Sequence, residues 1–123
     1  MYNLFLDDER FPQTAVTLVT EKVDMYKDDR DWVIVRNYDE FVDTILKNGL
    51  PDMISFDHDL ADIKYDNGVM SFSYREKTGF DTAKWLVDYC MNNDVKLPNY
   101  QVHSANPVGK ENIEKYLENF KKM

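Results

Sequence analysis

Three short apolar runs each stop at a cluster of ionisable residues. Asn3-Leu4-Phe5-Leu6 ends in Asp7-Asp8-Glu9-Arg10, Met53-Ile54-Ser55-Phe56 ends in Asp57-His58-Asp59, and Tyr100-Gln101-Val102 ends in His103-Ser104. Runs this short, bounded by breakers such as Leu50-Pro51, read as buried strands over 3–7, 53–57 and 100–104. Trp32-Val33-Ile34-Val35 predicts a further strand. Between the strands the period changes to a helical one. Asn37 reads as a helix N-cap with Glu40 as its capping-box partner, and Phe41, Val42, Ile45 and Leu46 form the apolar stripe. Asn48-Gly49 stops that helix, with Gly49 suited to a left-handed cap. Thr78 or Gly79 opens a second helix to about Asn93, on which Phe80, Ala83, Leu86, Val87 and Cys90 share a face. Asn106-Pro107 opens the last helix, with asparagine as cap, proline at the first helical position, and Ile113, Tyr116, Leu117 and Phe120 inward.

Two segments resist this pattern. Residues 13–31 carry Val16, Leu18 and Val23 among Thr14, Thr17 and Thr20, which predicts a short strand or an irregular excursion rather than a helix. From Leu60 to Lys77 the chain is polar, and Asp66-Asn67-Gly68 is a turn signal for a small hairpin. That excursion could act as a flap over the active edge or be a plain surface loop.

Strands alternating with helices imply right-handed crossovers and a parallel sheet covered on its faces. The expected architecture is therefore α/β: a single domain over 1–123, a three-layer sandwich around a mostly parallel sheet of about four strands. In such a sheet ligands bind at the carboxyl ends of the strands. The three ionisable clusters all stand there.

Composition narrows the chemistry. A formal net charge of −8 argues against an extended nucleic-acid surface but leaves room for a small phosphate pocket. The single cysteine, Cys90, cannot form an internal disulfide, and no apolar run approaches a membrane span, so a cytoplasmic protein is expected.

Carboxylates crowded on one edge repel one another, and a hard divalent cation relieves that. Asp7, Asp8, Asp57 and Asp59 are the candidate ligands, and Mg²⁺ or Mn²⁺ the candidate ion. Solvated strand-end acids are the plain alternative. Arg10 could hold a phosphate bidentately, or form a surface ion pair with Glu9 or Asp8. His58 and His103 are the only two histidines. They could serve as general base and acid, or ligate a transition metal with Asp57 or Asp59, which could also orient an imidazole. Ser104, Asn106 and Lys110 complete a candidate phosphate seat at the start of the last helix, where Gly109 would let backbone approach a ligand.

These motifs resemble a known family. The acidic pair after the first strand and the aspartate after the central strand are similar to a response-regulator receiver domain, a flavodoxin-like fold. Ordinary receivers have five strand–helix units and a lysine after the last strand; here one helical crossover is missing and His103-Ser104 takes the lysine's region. The closer resemblance is to the cyclic-phosphate processing receiver-like group. It rests on Leu4-Phe5-Leu6-Asp7-Asp8-Glu9-Arg10, Phe56-Asp57-His58-Asp59-Leu60, Thr78-Gly79-Phe80-Asp81 and Val102-His103-Ser104-Ala105-Asn106-Pro107. The resemblance implies action on cyclic phosphates, notably 2′,3′-cyclic RNA ends or nucleotides, with Asp7, Asp8, Asp57, His58, Asp59 and His103 at the site; joined to the carboxylate cluster, the expected function is a metal-assisted phosphoesterase. The alternatives are a non-catalytic module that captures a cyclic nucleotide or phosphorylated partner, and a conventional receiver phosphorylated on Asp57.

Overall fold

The computed structural model describes residues 2–60, 63–66, 69–72 and 78–122. The chain runs β1 (Asn3–Leu6), α1 (Pro12–Ala15), three 3-10 turns (Val16–Leu18, Val23–Lys27, Asp29–Asp31), β2 (Trp32–Val35), α2 (Tyr38–Asn48) and β3 (Met53–Phe56). It continues through β4 (Ile63–Asp66), β5 (Val69–Phe72), α3 (Gly79–Asn92), β6 (Asn99–Val102) and α4 (Pro107–Lys121). Four strands form one all-parallel sheet in the order β2-β1-β3-β6. The expected α/β receiver-like architecture is what the chain adopts.

Side-chain alternation along the strands divides two apolar layers. Leu4, Leu6, Val35, Ile54 and Phe56 meet Phe41 and Ile45 of α2, Ala83, Leu86 and Val87 of α3, and Ile113 and Leu117 of α4. Phe5, Trp32 and Met53 point the other way, onto Ala15, Val19 and Tyr26. The three longer helices thus cover one face, and the excursion between β1 and β2 covers the other. Residues 13–31 hold no strand. Pro12 starts a helical turn instead, and Ala15, Val19 and Tyr26 pack across the sheet face on Phe5, Trp32 and Met53 rather than alongside an edge strand.

Helix boundaries follow their caps. Asn37 Oδ1 accepts the Glu40 N–H at 2.8 Å, but the Glu40 carboxylate reaches Arg36 N rather than Asn37 N, so only half of the expected capping box forms. Gly49, at φ 81°, closes α2. Leu46, expected in the stripe, is 61% exposed. Thr78 and Asp81 form a reciprocal capping box on α3, and Asn106 caps α4 through Gly109 N at 3.0 Å. β4 and β5 pair antiparallel, with Asp66 opposite Val69, which is the expected hairpin; its turn residues Asn67 and Gly68 lie outside the described residues.

Candidate functional site

Ladder hydrogen bonds continue one residue past each strand and hold the site at one level. Asp7 N donates to Val35 O at 3.1 Å, Asp57 N to Leu6 O at 2.9 Å, and His103 N to Phe56 O at 2.9 Å. Asp7, Asp57 and His103 therefore stand side by side at the carboxyl edge, where the strand order reverses around β1 and β3. Carboxylate oxygens of Asp7, Asp8 and Asp57 lie within 4.8 Å of one another. Asp59 is not in that group. Its side chain is exposed, and its Oδ1 accepts from His58 Nδ1 at 2.9 Å and from the Asn106 amide at 3.4 Å.

Two of the clustered acids, Asp7 and Asp57, differ in circumstance. Asp7 is fully buried and fully subscribed: Oδ1 accepts the N–H groups of Glu9 (2.9 Å) and Arg10 (2.8 Å), while Oδ2 meets His103 Nε2 (3.0 Å) and Arg10 Nη1 (3.3 Å). Burial alone would raise its pKa, but the His103 hydrogen bond and the two backbone donors outweigh burial and hold the carboxyl well below the usual range. Asp57 is equally buried but poorly compensated. Among the described residues it accepts one hydrogen bond, from His58 N, and its one ion pair is with Arg10 at 3.8 Å. Burial, then the Asp7 charge, push its pKa up to about 7 against the pull of Arg10. Arg10 thus bridges Asp7 and Asp57, rather than pairing with Glu9 or Asp8.

His103 does not reach the surface. Its ring stacks on Phe5 with centroids 4.5 Å apart, and both nitrogens are engaged. Burial lowers its pKa despite Asp7, so the ring is neutral near pH 7. Because Nε2–H donates to ionised Asp7, Nδ1 is an acceptor, and Ser55 donates to it at 2.6 Å. Ser55 Oγ in turn accepts from the Tyr26 hydroxyl at 2.6 Å, and Tyr26 accepts from Gln101 Nε2 at 3.0 Å. Every donor in the chain Gln101–Tyr26–Ser55–His103–Asp7 points toward the carboxylate. Aspartate, histidine and serine in this sequence match the order of a nucleophilic triad. Ser55 is nonetheless fully buried with its oxygen already taken by Tyr26, so no ligand reaches it.

His58 is the partly exposed histidine, with its side chain 19% accessible. Two glycines make room for its loop. A Cβ on Gly79 would lie 1.7 Å from Asp57 O, and one on Gly109 would lie 2.3 Å from His58 Cγ. Gly109 thus admits the imidazole rather than a ligand. Ser104 Oγ accepts Asn106 N at 3.0 Å, so Ser104 and Asn106 shape the entry to α4. Lys110 lines a groove with Tyr100 and Gln101, and no side-chain contact ties it to the acids among the described residues.

The model of the cyclic-phosphate processing receiver domain matches residues 2–119. The chain belongs to that family. No curated protein and no solved structure matches it. As a cyclic-phosphate processing receiver domain it keeps the acidic pair, the central aspartate and both histidines on one edge, with the buried imidazole turned inward. Among the described residues no helix is long and apolar enough to cross a membrane.

Sequence reasoning did not single out Tyr26, Ser55, Gln101 or Arg36. Ser55 carried a signal, since a hydroxyl within an otherwise apolar central strand needs a buried partner. Arg36, whose Nη1 donates to the carbonyls of Asp7 (3.1 Å) and Arg10 (2.5 Å), carried none.

Proposed function

We propose that this domain hydrolyses a cyclic phosphodiester such as a 2′,3′-cyclic nucleotide or RNA end. The observation that carries the reading is the convergence of three carboxylates within 4.8 Å beside a partly exposed histidine. The all-oxygen donor set, with Asp57 short of compensating charge, fits a hard cation such as Mg²⁺ or Mn²⁺ held by Asp7, Asp8 and Asp57. Such an ion would supply positive charge against the phosphoryl group. Asp7 has no spare lone pair while Arg10 stays in place, so Arg10 must turn outward, where its guanidinium can take a phosphate oxygen.

His58 is the acid–base group in this scheme. Asp59 holds Nδ1, which leaves Nε2 for the reaction. Nε2 takes a proton from water as its oxygen adds to phosphorus. One P–O bond to ribose breaks, and the same proton passes to the leaving oxygen, giving a phosphomonoester and a free hydroxyl. His103 is a positioning residue that keeps Asp7 ionised and aimed. A second reading, capture of the ligand without turnover, draws support from the burial of His103, which leaves one histidine where two were expected to share acid and base roles.

Phosphorus NMR of the protein with a 2′,3′-cyclic nucleotide tests both. Conversion to a monoester with Mn²⁺, lost with chelator and in His58→Gln, supports hydrolysis. Line-broadening without product selects capture, and full turnover in His58→Gln removes the assigned base.

A further inference from the structure

Phe11 is the one exposed aromatic side chain among residues 2–60 and 78–122, at 47%. It sits at the N-cap of α1, a position where a side chain that accepts a hydrogen bond is favoured. A phenyl ring cannot do so, and Thr14 closes the turn instead by accepting Phe11 N at 2.9 Å. The capping position itself therefore gives no reason for an aromatic there. The ring is also held. The Arg36 guanidinium lies 4.7 Å from its centroid, and that guanidinium is fixed by the carbonyls of Asp7 and Arg10. Phe11 is thus a partly exposed apolar plane braced by a cation, directly after Arg10 and at the same edge as the clustered acids.

We propose that Phe11, braced by Arg36, is the platform on which the base of a cyclic nucleotide stacks; this rests on the cyclic-phosphate reading and adds the nucleoside to it. Asp7 and Arg36 each follow the last residue of neighbouring strands, which lie about 4.8 Å apart, of the order of a ribose's breadth. A ligand with its phosphate beside Arg10 and its base directed toward the β2 side of the edge would meet that ring. Stacking on an aromatic face is tolerant of base identity. The site then takes any 2′,3′-cyclic nucleotide, with the larger purines favoured by overlap. The net charge of −8 disfavours a long backbone, so the ligand is one terminal nucleotide.

The experiment compares adenosine 2′,3′-cyclic phosphate with 1,4-anhydroribitol 2,3-cyclic phosphate, which lacks the base. Each is titrated by phosphorus NMR with Mg²⁺, and half-saturation is read from line-broadening or conversion. In the wild-type protein the adenosine probe should half-saturate at a concentration about 5- to 150-fold lower, the range expected for stacking one base. Phe11→Ala should bring the two probes to within about twofold, and Phe11→Trp should restore the preference. An undiminished preference in Phe11→Ala, or no preference in the wild type, overturns the platform while leaving the phosphate reading intact. If the wild type engages neither probe, the phosphate reading itself fails and the platform with it.

Discussion

Replacing Asp57 by asparagine should make the metal-free protein more stable while removing its response to a divalent cation. Asp57 is 2% exposed, and its pKa moves from 3.8 to about 7 on folding. Between pH ~4 and ~7 the folded chain holds a proton at Asp57 that the unfolded chain has released. Raising the pH through that window therefore removes stability, and the full cost is present above about 7. The displacement corresponds to a ceiling of about 4 kcal/mol, and relaxation of Arg10 and Asp8 would reduce the observed gain to about 1–3 kcal/mol. Asparagine keeps an oxygen for His58 N and offers N–H groups to the neighbouring carboxylates. Urea unfolding in EDTA at pH 8 and pH 5 measures this. The variant should exceed the wild type at pH 8, and the difference should shrink at pH 5 as the wild-type carboxyl protonates. Mg²⁺ at 100 times its dissociation constant should then stabilise the wild type by about 2.7 kcal/mol and the variant far less. A variant less stable than wild type at pH 8, or a pH-independent difference, would refute the account of Asp57 as an uncompensated buried charge.

Other substitutions test the supports of the site. Ser55→Ala should cost about 2–4 kcal/mol in urea unfolding, because it strands His103 Nδ1 and the Tyr26 hydroxyl in a dry interior; a loss under 1 kcal/mol would mean that water replaces the serine. Tyr26→Phe should cost less than Ser55→Ala, since Ser55 can still donate to His103 and Gln101 is only part-buried. Gly109→Ala would ordinarily gain up to about 1 kcal/mol of helix propensity, yet the His58 ring stands 2.3 Å from the new Cβ, so melting should fall and the His58 NMR signals should shift. An increase in melting temperature with unmoved His58 signals would contradict that contact. Gly79→Ala meets backbone rather than a side chain, at 1.7 Å from Asp57 O, and should lose more than about 3 kcal/mol or fail to fold, read by circular dichroism.

What could be read from the sequence, and what could not, divides along a physical line. Strands and longer helices are written in local terms. Leu4 and Leu6, Ile54 and Phe56 lie on one face because period two leaves no other choice, and Asn37, Thr78 and Asn106 cap helices through their own neighbours. The edge where Asp7, Asp57 and His103 meet follows from topology, since parallel strands bring their carboxyl ends together. Side-chain direction at that edge does not follow. Asp57 and His103 each stand one residue past a strand, yet burial leaves Asp57 underpaired and gives His103 two partners. That difference depends on Ser55, Tyr26 and Gln101, which are 29 to 75 residues apart in pairs and meet only once the excursion after β1 folds across the sheet. Residues 13–31 looked least informative because their structure depends on the face they cover. They supply Tyr26, which orders the hydroxyl chain, and their first turn follows Phe11, which stands open at the edge. The segment that replaces an ordinary helical crossover therefore covers the sheet face of Phe5 and Ser55, the two residues that hold the His103 ring from that side. His58 remains the histidine able to meet a ligand, and a substitution that uncovers this face, such as Tyr26→Ala, should hydrate His103 and raise its pKa in an NMR titration of the imidazole; an unmoved pKa would contradict the reasoning.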